Sequence, residues 1–172
     1  LKGNTFDWKL IEAPTAVLFI GAMFWLYESY LWKIKPFAYI HHLPNINGRF
    51  EGFLVSSYSP ERKVPIVFEI EQELTSIHLV CYVRNESSYS IVTSIGKNNH
   101  GHWCVYNIYQ NINESMLVED SHVKNHEGVS FANIFENGKI LKGRYFSNPR
   151  DRGSYGIYEL KWVSKARHGG FE

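Results

Sequence analysis

The sequence predicts an all-β domain, an eight-stranded antiparallel up-and-down β-barrel, preceded by a transmembrane α-helix. Three observations predict it. From Ala13 to Tyr27 the chain is apolar, aromatic-rich and free of charge. After Gly48, turn signals recur about every ten residues, the rhythm of sandwiches and barrels. The connections between the runs are mostly short, which favours neighbouring antiparallel strands, and closure into a barrel removes exposed edges.

Residues 1–12 read as a polar loop and 13–35 as the span. A bilayer needs about 20 mostly apolar residues, so the span must continue past Glu28 to Tyr30, Leu31 and Trp32. Phe19, Phe24, Trp25, Tyr27 and Trp32 are its candidate lipid-facing or boundary aromatics, with Lys33 and Lys35 as cationic anchors. Pro14 suits a first helical turn and Pro36 a helix stop. Glu28 suits either a bundle-facing carboxylate or the headgroup level. Basic residues directly after the span place the following domain in the cytoplasm. The chain begins with Leu1, so an earlier helix is expected before this numbering.

Residues 36–47 read as a linker, 48–164 as the barrel and 165–172 as a tail. The strand patterns run approximately over 48–58, 64–74, 76–85, 87–96, 102–111, 126–135, 139–147 and 154–163. Asn137–Gly138 is a strong hairpin signal. Alternation puts Phe50, Gly52, Leu54, Ser56 and Tyr58 on one face. It does the same for Ile66, Phe68, Ile70 and Gln72, opposite a wet side of Glu69, Glu71 and Glu73. Ser88, Ser90, Val92 and Ser94 share a face, as do Leu141, Gly143 and Tyr145. The interior is therefore apolar at one end and polar at the other, with Gln72, Ser88, Ser90 and Tyr145 as polar members. These could bind a ligand or satisfy one another's hydrogen bonds in a filled barrel.

A net charge of +1 from 18 basic and 17 acidic residues leaves no broad field for a nucleic-acid polymer. Cys81 and Cys104 have no zinc-like spacing and are expected as thiols. Eight histidines form no cluster with carboxylates or cysteines, so no metal or other cofactor is expected. No GxSxG, HExxH or P-loop pattern occurs, and no catalytic residue is assigned.

The order of several loose motifs resembles a known family. They are Pro44-Asn-Ile-Asn-Gly48-Arg-Phe50-Glu-Gly52, Ile70-Glu-Gln72, Glu86-Ser-Ser88-Tyr-Ser90, Tyr109-Gln-Asn111, His126-Glu-Gly128, Leu141-Lys-Gly143-Arg-Tyr145-Phe146, and Arg150, Arg152 and Gly153. In this order after an apolar segment, they resemble the membrane-anchored β-barrel effectors of CBASS, a bacterial anti-phage defence. That family carries two transmembrane helices where this sequence offers one. The resemblance implies a non-enzymatic effector at the bacterial inner membrane. Its cytoplasmic barrel would bind a cyclic dinucleotide made by a cognate CD-NTase. Homo-oligomerisation would then drive the helices to disrupt the lipid bilayer, ending in abortive infection.

A cyclic dinucleotide asks for Arg, hydroxyl or N–H groups on its phosphates and aromatic faces on its bases. Arg150, Arg152 and the Ser88/Ser90 pair suit the former; Tyr58, Tyr109 and Tyr145 suit the latter. Gln72 and Asn111 complete the candidate set. Two other functions fit the same architecture: a membrane-anchored, lipocalin-like carrier of an apolar ligand, and an assembly factor with a filled barrel. A wholly apolar interior would favour the carrier, and a barrel with no cavity and a buried Gln72–Ser88 pairing the assembly factor.

Overall fold

The computed structural model describes residues 9–84, 86–112, 126–148 and 153–171. It divides into two compact units, residues 1–43 with 73–75, and residues 44–72 with 76–172.

The first unit holds α1 (Lys9–Ser29), a single 3₁₀ turn (Leu31–Lys33) and α2 (Ala38–His41). Among the described residues no helix is long and apolar enough to cross a membrane, which corrects the expected span over 13–35. The physical reason lies in two breaks. The charge-free run of α1 covers about 22 Å at 1.5 Å per residue, short of a ~30 Å hydrocarbon core. Beyond it the helix ends at Ser29 rather than continuing through Trp32. Pro14 lies inside α1, not in the first turn of a helix starting at residue 13.

The Glu28 carbonyl accepts the Leu74 N–H at 3.3 Å, and its carboxylate accepts the Thr75 hydroxyl. Tyr27 bonds His41 Nε2 at 2.7 Å. Trp32, expected at a lipid boundary, is buried. Phe19, Phe24 and Trp25 are exposed, in company with Val17, Leu18 and Ile20.

The second unit is a closed barrel in which β1 to β8 pair in chain order and β8 returns to β1. The strands are β1 (Gly48–Ser56), β2 (Ser59–Gln72), β3 (Ile77–Val83), β4 (Glu86–Lys97), β5 (Trp103–Ile112), β6 (His126–Phe135), β7 (Ile140–Asn148) and β8 (Ser154–Ser164). All pairs are antiparallel. Asn137–Gly138 lies in the β6–β7 turn, with φ of 53° and 90°. A side chain at Gly138 would also collide with the Asn45 carbonyl, so this turn needs glycine twice over.

One half of the interior is an apolar core of Phe50, Ile66, Phe68, Ile70, Leu79, Val105, Ala132, Leu141, Tyr158 and Leu160, joined by Ile46 from the segment before β1. Gln72 is fully buried at this same end. Its Oε1 accepts the Ile46 N–H at 2.8 Å and its Nε2 donates to the Pro44 carbonyl at 3.1 Å. Asn47 Nδ2 donates to the Gln72 carbonyl at 3.1 Å. These bonds hold segment 44–47 across the apolar end.

One further expectation needs correction. Glu69 is outward-facing but not wet: it is 5% exposed. Arg49 Nη1 meets its carboxylate at 2.9 Å, and the His168 and Gly169 N–H groups donate to it at 2.6 and 3.1 Å. Arg49 in turn donates to the Gly170 and Phe171 carbonyls. The tail thus straps the outer face of β1 and β2. Cys81 faces inward and Cys104 outward, and both are free thiols.

Candidate functional site

The strand register arranges the inward side chains into cross-strand rows. Ser90, Tyr109, Gly128, Ser147 and Ser154 form one row. Thr93, Asn107, Ser130, Tyr145, Gly156 and Ser56 form the next. Every member of both rows is polar or glycine. The row after them, Ile95, Val105, Ala132, Gly143, Tyr158, Leu54 and Val64, is apolar apart from Tyr158. The interior therefore changes character within one step along the strands, about 7 Å for two residues.

Three glycines in these rows share one role. A Cβ on Gly128 would overlap the ring of Tyr109, its partner on β5. One on Gly143 would overlap Tyr158, and one on Gly156 would overlap Tyr145. Each tyrosine lies over a glycine on the neighbouring strand, so its ring is held against backbone. The hydroxyls are tied as well. Tyr145 donates to Ser56 Oγ at 3.0 Å, and Tyr158 bonds Ser130. Burial raises the pKa of both Tyr109 and Tyr158, so both stay neutral donors at physiological pH. Burial also pushes the inward Cys81 thiol up to about 12, with the charge of Glu86 adding to the effect.

The remaining polar groups are partly satisfied. Thr93 donates to Asn107 Oδ1 at 2.9 Å. Ser90 Oγ accepts the Leu79 N–H at 3.0 Å. Ser147 and Ser154 share a short hydroxyl contact. One row nearer the polar end, Cys81, Ser88, Asn111 and His126 are cross-strand neighbours. Asn111 is 5% exposed; its Nδ2 donates to Glu86 at 3.2 Å, while its Oδ1 has no hydrogen-bond partner among the described residues. The His126 ring meets Tyr109 edge-on at 6.5 Å. The two polar rows contain no Lys or Arg.

Of the residues singled out in the sequence, the structure brings together Ser88, Ser90, Tyr109, Asn111 and Tyr145. Gln72 stands at the opposite, apolar end, and Ser88 is not its partner. Tyr58 lies in the β1–β2 turn, 61% exposed. Arg150 and Arg152 lie outside the described residues. Val92 and Ser94 do not share the face of Ser88 and Ser90. A bulge between Ser90 and Val92 inserts an extra residue and reverses the alternation, so Val92 points out and Thr93 points in. Asn107, Ser130, Ser147, Ser154 and Tyr158 escaped the sequence reading. Asn107 was within reach, since it shares its parity with Tyr109 and Asn111.

No curated protein matches the chain. A family model described as the Cap15 cyclic dinucleotide receptor domain matches residues 41–162, which takes in the barrel from before β1 to near the end of β8. That model covers well over half of the sequence, and the ligand class it names is the one that the CBASS resemblance implied. The chain accordingly belongs to the Cap15 cyclic dinucleotide receptor domain family.

Proposed function

We propose that this protein is a non-catalytic CBASS effector whose barrel holds a cyclic dinucleotide in its polar half. The observation that carries the reading is the pair of wholly polar inward rows, with tyrosine rings seated on glycines. Such rings offer stacking faces to bases, each worth ~1–3 kcal/mol. The surrounding hydroxyls and amides suit sugar and phosphate groups. An apolar cargo would leave the buried Asn111 Oδ1 without a partner, at a cost of about 1–3 kcal/mol; this disfavours the carrier reading. The pairing of Gln72 with Ile46 and Pro44 rather than Ser88 removes one of the two features that would have favoured an assembly factor.

In this reading a cognate CD-NTase supplies the ligand during phage infection. Ligand-bound copies assemble, the bacterial inner membrane is disrupted from its cytoplasmic side, and the infected cell dies. The exposed apolar side chains of α1 support an action on lipid.

Calorimetric titration of the full chain with 3′,3′-linked cyclic di-AMP, cyclic di-GMP and cyclic UMP–AMP tests the reading, with dye release from anionic vesicles as the second readout. At least one nucleotide is expected to bind and to provoke release. Replacing Phe19, Phe24 and Trp25 together by Ser is expected to abolish release and leave binding intact. No binding by any of the three nucleotides would sink the proposal.

A further inference from the structure

The Asn111 side chain carries an inference that deepens this reading and rests on it. Its amide cannot point either way. The Glu86 carboxylate accepts only, so it fixes Nδ2 toward itself. That leaves Oδ1 aimed away from Glu86, buried and without a partner among the described residues. A buried acceptor left unmet works against folding, and such groups call for a specific explanation. Asn111 is two residues from Tyr109 on the same strand, so both side chains lie on the inner face. Tyr109 is held flat by Gly128. A planar heterocycle stacked on Tyr109 would present its edge, not its face, in the direction of Asn111.

We infer that Asn111 is the base-reading residue of the site: its Oδ1 accepts a hydrogen bond from an N–H on the edge of one nucleobase, and Glu86 is the positioning residue that presents that oxygen. Ribose and phosphate do not meet this requirement in the same way. Phosphate oxygens accept and cannot satisfy a carbonyl. The ribose 2′-hydroxyl can donate, but it lies off the plane of the stacked ring. The exocyclic amine of adenine and the ring N–H of uracil or guanine lie in that plane.

The test uses the full chain and whichever of the three cyclic dinucleotides binds it most tightly. Three ligand forms are compared: the parent, one with the base N–H blocked by methylation, and a 2′-deoxy form. Asn111→Leu is expected to weaken the parent ligand at least about tenfold, the scale of one desolvated hydrogen bond. Methylation is expected to cost the wild-type protein a similar factor and the variant almost nothing.

The double variant Glu86→Gln with Asn111→Asp reverses donor and acceptor within the pair but keeps an oxygen facing inward. It is expected to bind the parent ligand within a few-fold of wild type, and it keeps the test open should Asn111→Leu not fold. Equal losses on methylation in wild type and variant would overturn the inference. So would a 2′-deoxy penalty in place of the methylation penalty. If no cyclic dinucleotide binds the wild-type chain, the functional reading itself falls; if wild type binds and Asn111→Leu binds equally, only the base-reading role falls.

Discussion

A buried glutamine and a part-buried inward thiol show how single residues divide the barrel into two halves. Gln72 completes its hydrogen bonds with the segment before β1, so it closes the apolar end and takes no part in the polar rows. Replacing it by Leu leaves the Ile46 N–H and the Pro44 carbonyl unpaired, at about 1–3 kcal/mol for each group. Gln72→Leu is therefore expected to lower the denaturation midpoint clearly while cyclic dinucleotide affinity stays within a few-fold, as urea unfolding and calorimetry would report. Cys81 gives a second check. With its pKa pushed to about 12, its thiolate fraction at pH 8 is on the order of one in ten thousand. Iodoacetamide at pH 8 is expected to leave Cys81 unmodified in the native protein and to label it on unfolding. Rapid native labelling would mean that the polar half is far wetter than its burial implies.

At the scale of elements, β4 and the glycine–tyrosine pairs decide what the interior can hold. The bulge after Ser90 lets one strand present Ser88 and Ser90 inward near the polar end, then Thr93 and Ile95 inward beyond it. Deleting Ile91 would remove the extra residue, restore plain alternation and keep Thr93 and Ile95 inward. Such a variant is expected to keep a cooperative thermal transition, as calorimetry would report. Gly128→Ala is the harsher probe. Its Cβ overlaps the Tyr109 ring, so the ring must leave its seat at a cost of about 1–3 kcal/mol for an overpacked site, and ligand affinity is expected to fall with it.

These two devices also mark where sequence reading succeeded and failed. The eight strands were legible because alternation and turn residues are local signals, and the structure reproduces each run to within two residues, except that β2 begins at Ser59, five residues before the expected start, and takes in a segment read as a connection. The inner face of β1, β2 and β7 was legible for the same reason. The bulge was not: Ile91 and Val92 are both apolar, and nothing local says which one is extra. The seating of Tyr109 on Gly128 was hidden because it depends on the register between β5 and β6, across a long connection. The helix went wrong because its apolar content resembles a span while its length is cut at Ser29.

At the scale of the whole barrel, closure leaves no edge strand among the described residues, and the tail is secured from outside by the Arg49–Glu69 pair. Burial alone would raise the Glu69 carboxyl. The His168 N–H, the Arg49 guanidinium and the Gly169 N–H outweigh it and hold its pKa below the ordinary 4.5. A carboxylate with a depressed folded-state pKa stabilises fully above its unfolded value, and that contribution is lost as pH falls through the folded value. Thermal melts of wild type and Glu69→Gln are therefore expected to differ most at neutral pH and to converge below about pH 4.5. Parallel curves down to pH 3 would show that the strap contributes nothing to folding.

The segment hung on Gln72 has a kinetic consequence. If the ligand sits in the polar half as proposed, the segment over the apolar end leaves the polar rim as its route both in and out. Whatever narrows that route slows arrival and departure by the same factor and leaves the equilibrium untouched. Substitutions around the polar rim are therefore expected to retime the receptor, setting how long it remembers a pulse of messenger, while substitutions beneath them set how much messenger it needs.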